Sequence, residues 1–303
     1  MINHNKGAAL MLVMFIMVIL SSTMVQLMKQ METGVSHHSN LTSRHQAKLI
    51  ADGAIQWASV LLMQDLKDNS IDTLQDNWAA DKLSLPAVRG ELTLRIEDAQ
   101  GRYNINNLAV KAQQQPQKKI FKQLLSQAGL PQTSSQAIIN WIGNKKTAQK
   151  ITTDDAYYLA KEKPYLSAQQ MITGTAELSL IKGFEDQNLT PLHTHITSLP
   201  ELTKININTA STSVVQAILN LSPDKAKALT ESLKQKGITS LSQLSARIKR
   251  PITIKQRQLL SVTSSYFIAH IMVNYQSIQY QVRVHFKRGK KQINVYNRVE
   301  IVQ

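Results

Sequence analysis

The feature that most constrains the fold of this 303-residue chain is a run without charged side chains, residues 8–28. Its first thirteen residues, 8–20, have no polar side chain at all. An α-helix rises about 1.5 Å per residue, so the run would be about 30 Å long, which is the thickness of a bilayer hydrocarbon core. The run therefore predicts a helix that spans a membrane.

The residues around this run indicate how the helix would be used. Lys6 lies just before it, and a positive charge there favours a cytoplasmic N-terminus. The hydroxyls of Ser22 and Thr23 can bond to the preceding helical turn, so they do not exclude a membrane span. The alternative is a secretory signal peptide cleaved after the apolar run, for which residues 21–23 form a poor site. A retained helix is the favoured interpretation.

The helical pattern continues well beyond the apolar run. Residues 29–66 contain no proline, and apolar side chains recur there at three- and four-residue steps. Such spacing gives a helix one apolar stripe. We therefore predict a single helix over 8–66, whose second half is amphipathic and packs on another part of the chain. The stripe consists of Ala47, Ile50, Ala51, Ala54, Trp57, Ala58, Leu61 and Leu62.

The rest of the chain predicts one sheet interrupted by a block of helices. Residues 67–90 are polar and contain Pro86, so no strand is predicted there, whereas 92–97 alternate like a half-buried strand. Helical spacing dominates 109–262, and a two-residue period follows to the end of the chain. Because a lone strand leaves its backbone groups unpaired, the strands should form one antiparallel sheet packed on the long helix. The predicted class is α+β.

The N-terminal features resemble those of type IV pilins and type II secretion pseudopilins. These share a short basic leader ending in glycine, here Lys6-Gly7, followed by an apolar helix with an amphipathic continuation. The resemblance implies that a prepilin peptidase cleaves after Gly7 and methylates the new N-terminus, Ala8. Most members have glutamate at the fifth mature position to neutralise a neighbour's buried ammonium, and here that position is Leu12. Lack of this glutamate is typical of the K-type minor pseudopilins and suits a subunit at the filament tip.

Two further motifs resemble the K type. Residues 98–108 follow its D-x-x-G-R-(F/Y)-N-(L/I)-N-x-L pattern, and 206–210 follow its Asn-x-Asn-Thr-Ala motif. The resemblance implies a type IV pilin-like fold with an inserted all-α domain that contains a helix-hairpin-helix-like motif. The implied divisions are a leader at 1–7, a long helix at 8–66 with a transmembrane part at 8–28, a sheet region at 67–108 and 263–303, and the inserted domain at 109–262.

The resemblance also raises the question of calcium. K-type pseudopilins have an acidic stretch associated with bound calcium, and residues 140–158 match it. Asn140 and Gly143 stand where two carboxylates are expected, which leaves Asp154 and Asp155 as candidate ligands. Calcium takes six to eight oxygen ligands, several of them anionic. The alternative is that the two aspartates are acids at the N-terminus of a helix.

The charge of the chain is strongly positive and concentrated near its C-terminus. The formal net charge is +15, and residues 238–303 contain eleven Lys or Arg and one acid, Glu300. This region is predicted to be a solvated basic face, with an acidic partner pseudopilin, anionic lipid or DNA as alternatives. The hairpin at 220–223 lacks the Gly-x-Gly amides that contact phosphate in DNA-binding helix-hairpin-helix motifs, so nucleic acid is not expected.

The function implied by the resemblance is structural. The chain has no cysteine and no nucleotide-binding, zinc-protease or serine-hydrolase motif, so an enzyme is not expected. The resemblance implies a minor pseudopilin at the tip of the type II secretion pseudopilus, aiding export of folded proteins across the outer membrane. Its partners would be I- and J-type pseudopilins, the pseudopilus, the prepilin peptidase and membrane lipid.

The implied location is the bacterial inner membrane, with a single pass, a cytoplasmic N-terminus and a periplasmic globular part. The alternative function is a DNA-binding or adhesive minor pilin of a type IV system. It would use basic residues of the C-terminal region such as Arg283, Lys287 and Arg288.

Overall fold

A computed structural model describes residues 5–87, 90–110, 113–143 and 155–302. The helices are α1 (Asn5–Asp68), α2 (Gln114–Gln127), α3 (Ser134–Ile142), α4 (Asp155–Leu159), α5 (Thr190–His193), α6 (Thr212–Leu219), α7 (Pro223–Gln235), α8 (Leu241–Arg247) and α9 (Ile254–Leu259). The strands are β1 (Leu83–Ala87), β2 (Gly90–Asp98), β3 (Tyr103–Asn104), β4 (Ile196–Thr197), β5 (Ile205–Asn206), β6 (Leu260–Ser261), β7 (Tyr266–Tyr275), β8 (Ile278–Arg288) and β9 (Ile293–Val302).

One antiparallel sheet brings together strands from both sides of the helical block. Its order is β1-β2-β7-β8-β9, so β2 pairs directly with β7, although the two strands lie more than 160 residues apart. The α+β class and the single antiparallel sheet are thereby confirmed. The prediction that 67–90 contains no strand is wrong, because β1 pairs with β2 through Leu83 and Leu94. Pro86 is tolerated because β1 is an edge strand, and one side of an edge strand needs no ladder hydrogen bonds.

The second half of α1 packs on this sheet, as its apolar stripe predicted. Four alanines of the stripe are at most 2% exposed, so the helix backbone approaches the sheet closely. The facing strands present alternate residues to the helix, as in β8, where Tyr280, Val282, Val284 and Phe286 are buried. The alanines are Ala47, Ala51, Ala54 and Ala58.

The direction of α1 along the sheet places the helical block. Near the apolar half of α1, the Ser43 hydroxyl donates to Gln276 Oε1 (2.5 Å) in the turn between β7 and β8. Asp65, near the other end of α1, contacts Arg288 at the end of β8. The 22 residues between Ser43 and Asp65 correspond to about 33 Å of helix. Because Asp98 pairs with Phe267, the block between β2 and β7 attaches at the end far from the apolar half.

Residues 99–265 form their own core beyond this end of the sheet. Helices α2, α3, α6 and α7 supply many of its buried side chains, among them Phe121, Trp141, Val215 and Leu233. The parallel pairs β3–β4 and β5–β6, each two residues long, hold distant parts of the segment together. The sheet and α1 enclose a separate hydrophobic cluster.

Candidate functional site: an exposed apolar helix and a buried polar junction

The first half of α1 is an apolar rod that nothing in the described chain covers. Its large side chains from Leu10 to Leu20 are each 44–76% exposed. An 18-residue window here has a mean hydropathy of 2.3 and is the one candidate membrane span found among the described residues. The hydroxyls of Ser22 and Thr23 donate to the carbonyls of Ile19 and Leu20, as predicted (both 2.9 Å). These features are consistent with a single-pass membrane anchor.

The predicted processing site lies at the start of this rod. Gly7 and Ala8 are within the first turns of α1, and Leu12 is 62% exposed on its surface. The peptide bond after Gly7 therefore lies in α1, well before the part of the helix that packs on the sheet. Cleavage at that bond, methylation of Ala8 and the role of Leu12 stay predictions.

A buried arginine joins the end of α1 to the sheet and to the loop after the helix. Arg288 is 5% exposed. Its Nη1 donates to Asp65 Oδ2 (2.9 Å) and to the Leu62 carbonyl (3.3 Å). Its Nη2 donates to Asp72 Oδ1 and to the Ser264 carbonyl (2.9 Å). One guanidinium therefore fixes the relative positions of α1, the loop after it, the segment before β7, and β8.

The prediction of a solvated basic face is wrong for part of the C-terminal region. Arg288 is enclosed because two buried carboxylates need a cation, and its guanidinium also lies over the ring of Phe267 (4.5 Å). Lys287 pairs with Glu201 (2.8 Å), so it is not an unpaired surface charge. Arg298 likewise pairs with two acids, Asp52 on α1 (2.7 Å) and Glu300 on its own strand (3.0 Å).

Asp72 belongs to the group of carboxylates in the described chain that come close enough to share a cation. Ligand oxygens of Asp65, Asp72 and Asp76 lie within 4.8 Å of one another. Arg288 already pairs with Asp65 and Asp72, and Asp76 accepts from the backbone and side chain of Thr73 (2.7 and 2.9 Å). Burial raises the pKa of Asp72 to about 7, against the opposing charge of Arg288. We therefore interpret the three aspartates and Arg288 as a structural ion network.

Asp98, the first residue of the 98–108 motif, connects the sheet to the inserted helices. Its Oδ2 accepts from the hydroxyls of Ser264 and Thr209 (both 2.6 Å) and from Asn206 Nδ2 (3.0 Å). Its Oδ1 accepts from the Gln100 amide (2.7 Å). Burial raises the pKa of Asp98, while these donors favour its charged form. The carboxylate thus ties β2 to the segment before β7 and to the start of the 206–210 motif.

The asparagines of the 98–108 motif pair with the backbone of the inserted segment. Asn106 donates to the carbonyl of Ile172 (2.9 Å) and accepts from its N–H (2.8 Å). Asn107 forms the same two-way pair with Thr203 (2.9 and 3.2 Å). Asn208, in the second motif, does so with Ile238 (3.0 and 2.9 Å). Each side-chain amide acts like a short piece of strand, which explains why the chemistry needs asparagine at these positions.

Little of the predicted calcium site can be described, because Asp154 lies outside the described residues. Asp155 is the first residue of α4, is buried, and its Oδ1 accepts from the amide and hydroxyl of Ser167 (3.1 and 2.6 Å). A Cβ at Gly143 would clash with the Gln169 side chain. The described part offers one carboxylate with an oxygen already hydrogen-bonded, which does not by itself fit a six- to eight-oxygen cage. Calcium binding stays a prediction.

Comparison with known proteins gives consistent results along most of the chain. A family model described as "Type II secretion system (T2SS), protein K" matches residues 101–201. The type II secretion system protein K of Aeromonas hydrophila is 29% identical over 312 residues, covering 95% of this chain and 94% of that protein. The Klebsiella pneumoniae protein K is 26% identical, covering 98% and 97%.

The fold has a solved counterpart. The crystal structure of the GspK-GspI-GspJ complex from the enterotoxigenic Escherichia coli type 2 secretion system contains a chain that matches with a TM-score of 0.73 and 20% identity. The match covers 88% of this chain and 99% of that chain. A long helix with an exposed apolar half, packed on an antiparallel sheet with inserted helices, defines a pilin-like fold. The chain is similar to type II secretion system protein K over most of its length, as the motifs indicated.

Proposed function

We propose that this protein is the tip subunit of a type II secretion pseudopilus and aids the export of folded proteins across the outer membrane. The observation that carries the proposal is the arrangement along α1. The apolar rod leads from one end of the sheet, and the inserted helices attach at the opposite end, about 33 Å further along the helix. A subunit built this way has its bulk on the side away from the membrane, where it would block addition of a subunit above it.

The apolar rod would lie first in the membrane and then in the filament. Before assembly it spans the inner membrane once, with Lys6 on the cytoplasmic side and the globular part in the periplasm. After cleavage behind Gly7, it leaves lipid and packs against the helices of other subunits. Leu12 supplies no carboxylate to neutralise a neighbour's terminal ammonium, which suits a position with no subunit above it. Growth of the filament from below would then push this subunit outward.

The partners that we infer are the I- and J-type pseudopilins. The solved relative is in complex with GspI and GspJ, and this chain matches nearly all of that relative. Prepilin peptidase and membrane lipid are inferred as further partners from the leader and the rod. The family is a structural component of the secretion system, and no catalytic role is proposed.

The test is co-purification combined with a secretion assay in the native bacterium. The full chain, solubilised in mild detergent, should co-purify with the I- and J-type pseudopilins of the same organism. A deletion strain should lose secretion of type II cargo and regain it with the intact gene. Normal secretion in the deletion strain, together with loss of DNA uptake, would instead favour the type IV pilin alternative.

The DNA-binding or adhesive alternative is not favoured. Two of the three cations that it would use are engaged, since Arg288 is buried and Lys287 pairs with Glu201. The hairpin between α6 and α7 ends at Pro223, which has no N–H to offer a phosphate. Neutralising Arg288 would disturb the fold, so a loss of DNA binding by that variant would not identify Arg288 as a DNA contact.

A further inference from the structure

A groove on the inserted helices combines an apolar floor with a basic rim. It lies between α7 and the segment that joins α8 to α9, and its volume is about 600 Å³. Grooves and clefts of about 300–1,000 Å³ are the usual size for ligand sites. The floor is formed by Leu221, Ala228, Leu229 and Ile248, and the rim by Lys225, Ser232, Arg247, Lys249 and Arg250.

The rim is held in place by hydrogen bonds to the backbone of neighbouring elements. Arg247 Nη1 donates to the carbonyl and hydroxyl of Ser232 (3.2 and 3.1 Å), and its Nη2 donates to the Lys236 carbonyl (2.9 Å). Arg250 donates to the Leu219 carbonyl at the end of α6. These contacts fix the wall opposite α7 before any ligand arrives, which lowers the entropic cost of binding.

The groove carries an uncompensated positive charge. Four of its lining residues are cationic, and none of the described residues that line it is acidic. The carbonyls that hold Arg247 and Arg250 satisfy their hydrogen bonds but do not cancel their charge. Glu231, on another face of α7, pairs with Lys234 (3.0 Å). Clustered positive charges beside an apolar surface attract a ligand that combines anionic groups with an apolar part.

We propose that this groove binds an acidic amphipathic segment of a partner protein. Carboxylates of the segment would pair with Lys225 and Lys249, and an apolar side chain would cover Leu229 and Ile248. A protein segment fits better than nucleic acid, because the floor is aliphatic and none of the described lining residues is aromatic, so bases would have no stacking platform. This interaction is separate from the anchor and tip roles, because it needs neither the membrane nor a filament.

The test uses the detergent-solubilised full chain and a fluorescent synthetic peptide in which aspartate and leucine alternate. The full chain should bind this peptide at least about tenfold more tightly than either a matched peptide with asparagine for aspartate or one with serine for leucine. The variant Lys225→Glu/Lys249→Glu should weaken binding at least about tenfold. The control Lys227→Glu/Lys255→Glu changes net charge equally at exposed positions outside the groove and should change affinity less than about twofold.

Ala228→Trp provides a second variant that fills the floor without changing charge, and it should also abolish binding if the groove is the site. Thermal melting of each variant verifies that it is folded. Three results would overturn the inference: no binding by the native chain, equal weakening by the two charge-reversed variants, or competition by duplex DNA as strong as that by unlabelled peptide.

Discussion

At the scale of residues, the buried contacts of Arg288 and of the motif asparagines are the part of the structure that the sequence does not predict. Arg288 sits in a Lys-Arg-Gly-Lys turn and reads as a surface cation, because its partners Asp65 and Asp72 are 223 and 216 residues away. The 98–108 motif is visible in the sequence, but the role of its asparagines is not. Asn106 and Asn107 pair with backbone segments that lie 66 and 96 residues further along the chain. Periodicity reports which face is buried and carries no information on such distant polar partners.

Replacing the buried arginine should destabilise the fold strongly. Arg288→Met leaves Asp65 and Asp72 buried without their cation, and breaking a buried ion pair in this way costs about 3–5 kcal/mol. The measurement is urea unfolding followed by tryptophan fluorescence. The matched control is Lys291→Met in the same turn, where the side chain is exposed and the expected change is within about 0.5 kcal/mol. Equal effects of the two substitutions would contradict the described junction.

Glu97, on the outer face of β2, should make the stability of the fold depend on pH in the acidic range. Burial raises its pKa, but the hydrogen bond from His270 and the charges of Arg102, His270 and Arg95 outweigh burial and lower the pKa from 4.5 to about 2. Because the folded state binds this proton less readily than the unfolded chain, the stabilisation is present above about pH 4.5 and is lost as the pH falls towards 2.

The variant Glu97→Gln isolates this contribution. It should be less stable than the native chain by about 3 kcal/mol at pH 7, because the pKa of Glu97 falls from 4.5 to about 2 and each pKa unit corresponds to about 1.36 kcal/mol. The difference should shrink below pH 4.5 and disappear near pH 2. Unfolding curves at a series of pH values measure it, and a difference that does not change with pH would contradict the assigned contacts.

At the scale of elements, spacing alone was sufficient for α1, β2, β7 and β8. The stripe on α1 was predicted because a helix repeats every 3.6 residues and its partner surface is continuous. Strand β1 was missed because Pro86 signals a break, and only its place at the edge of the sheet makes that proline acceptable. Edge position is a property of the assembled sheet, which no local pattern contains.

Two substitutions close together on α1 should act in opposite directions. Ala51 is fully buried against the sheet, so Ala51→Leu should overpack the interface and cost about 1–3 kcal/mol. Gly53 has nothing within 4 Å of where a Cβ would be, so Gly53→Ala should stabilise the helix by up to about 1 kcal/mol. Melting temperatures of both variants provide the measurement. A stabilising Ala51→Leu would mean that this face of α1 does not contact the sheet.

At the scale of the whole molecule, the insertion of one helical block between β2 and β7 followed from the need of each strand for a partner. The sequence does not predict how firmly the block is attached to the sheet, because the attachment depends on close contacts such as that between Gly101 and Thr209. A Cβ at Gly101 would lie 2.7 Å from the Thr209 carbonyl oxygen, so the two segments meet almost backbone to backbone. The block is thus fastened at the end of the sheet that faces away from the apolar rod.

A methyl group at this contact should loosen the block from the sheet. Gly101→Ala forces Thr209 to move and should cost about 1–3 kcal/mol. Gly174→Ala, at a glycine of the inserted segment with nothing within 4 Å of a Cβ, should change stability by less than about 0.5 kcal/mol. Limited proteolysis alongside thermal melting measures both effects. Equal resistance of the two variants would contradict a tight junction.

The central claim is that the apolar rod is released at Ala8 so that the subunit can leave the membrane for a filament. Intact-mass and N-terminal peptide analysis of the protein from its native membrane tests this directly. The expected mature chain begins at Ala8 with one added methyl group, and a strain without prepilin peptidase should retain residues 1–7. Trimming near Ser22, or the same N-terminus with and without the peptidase, would contradict the claim.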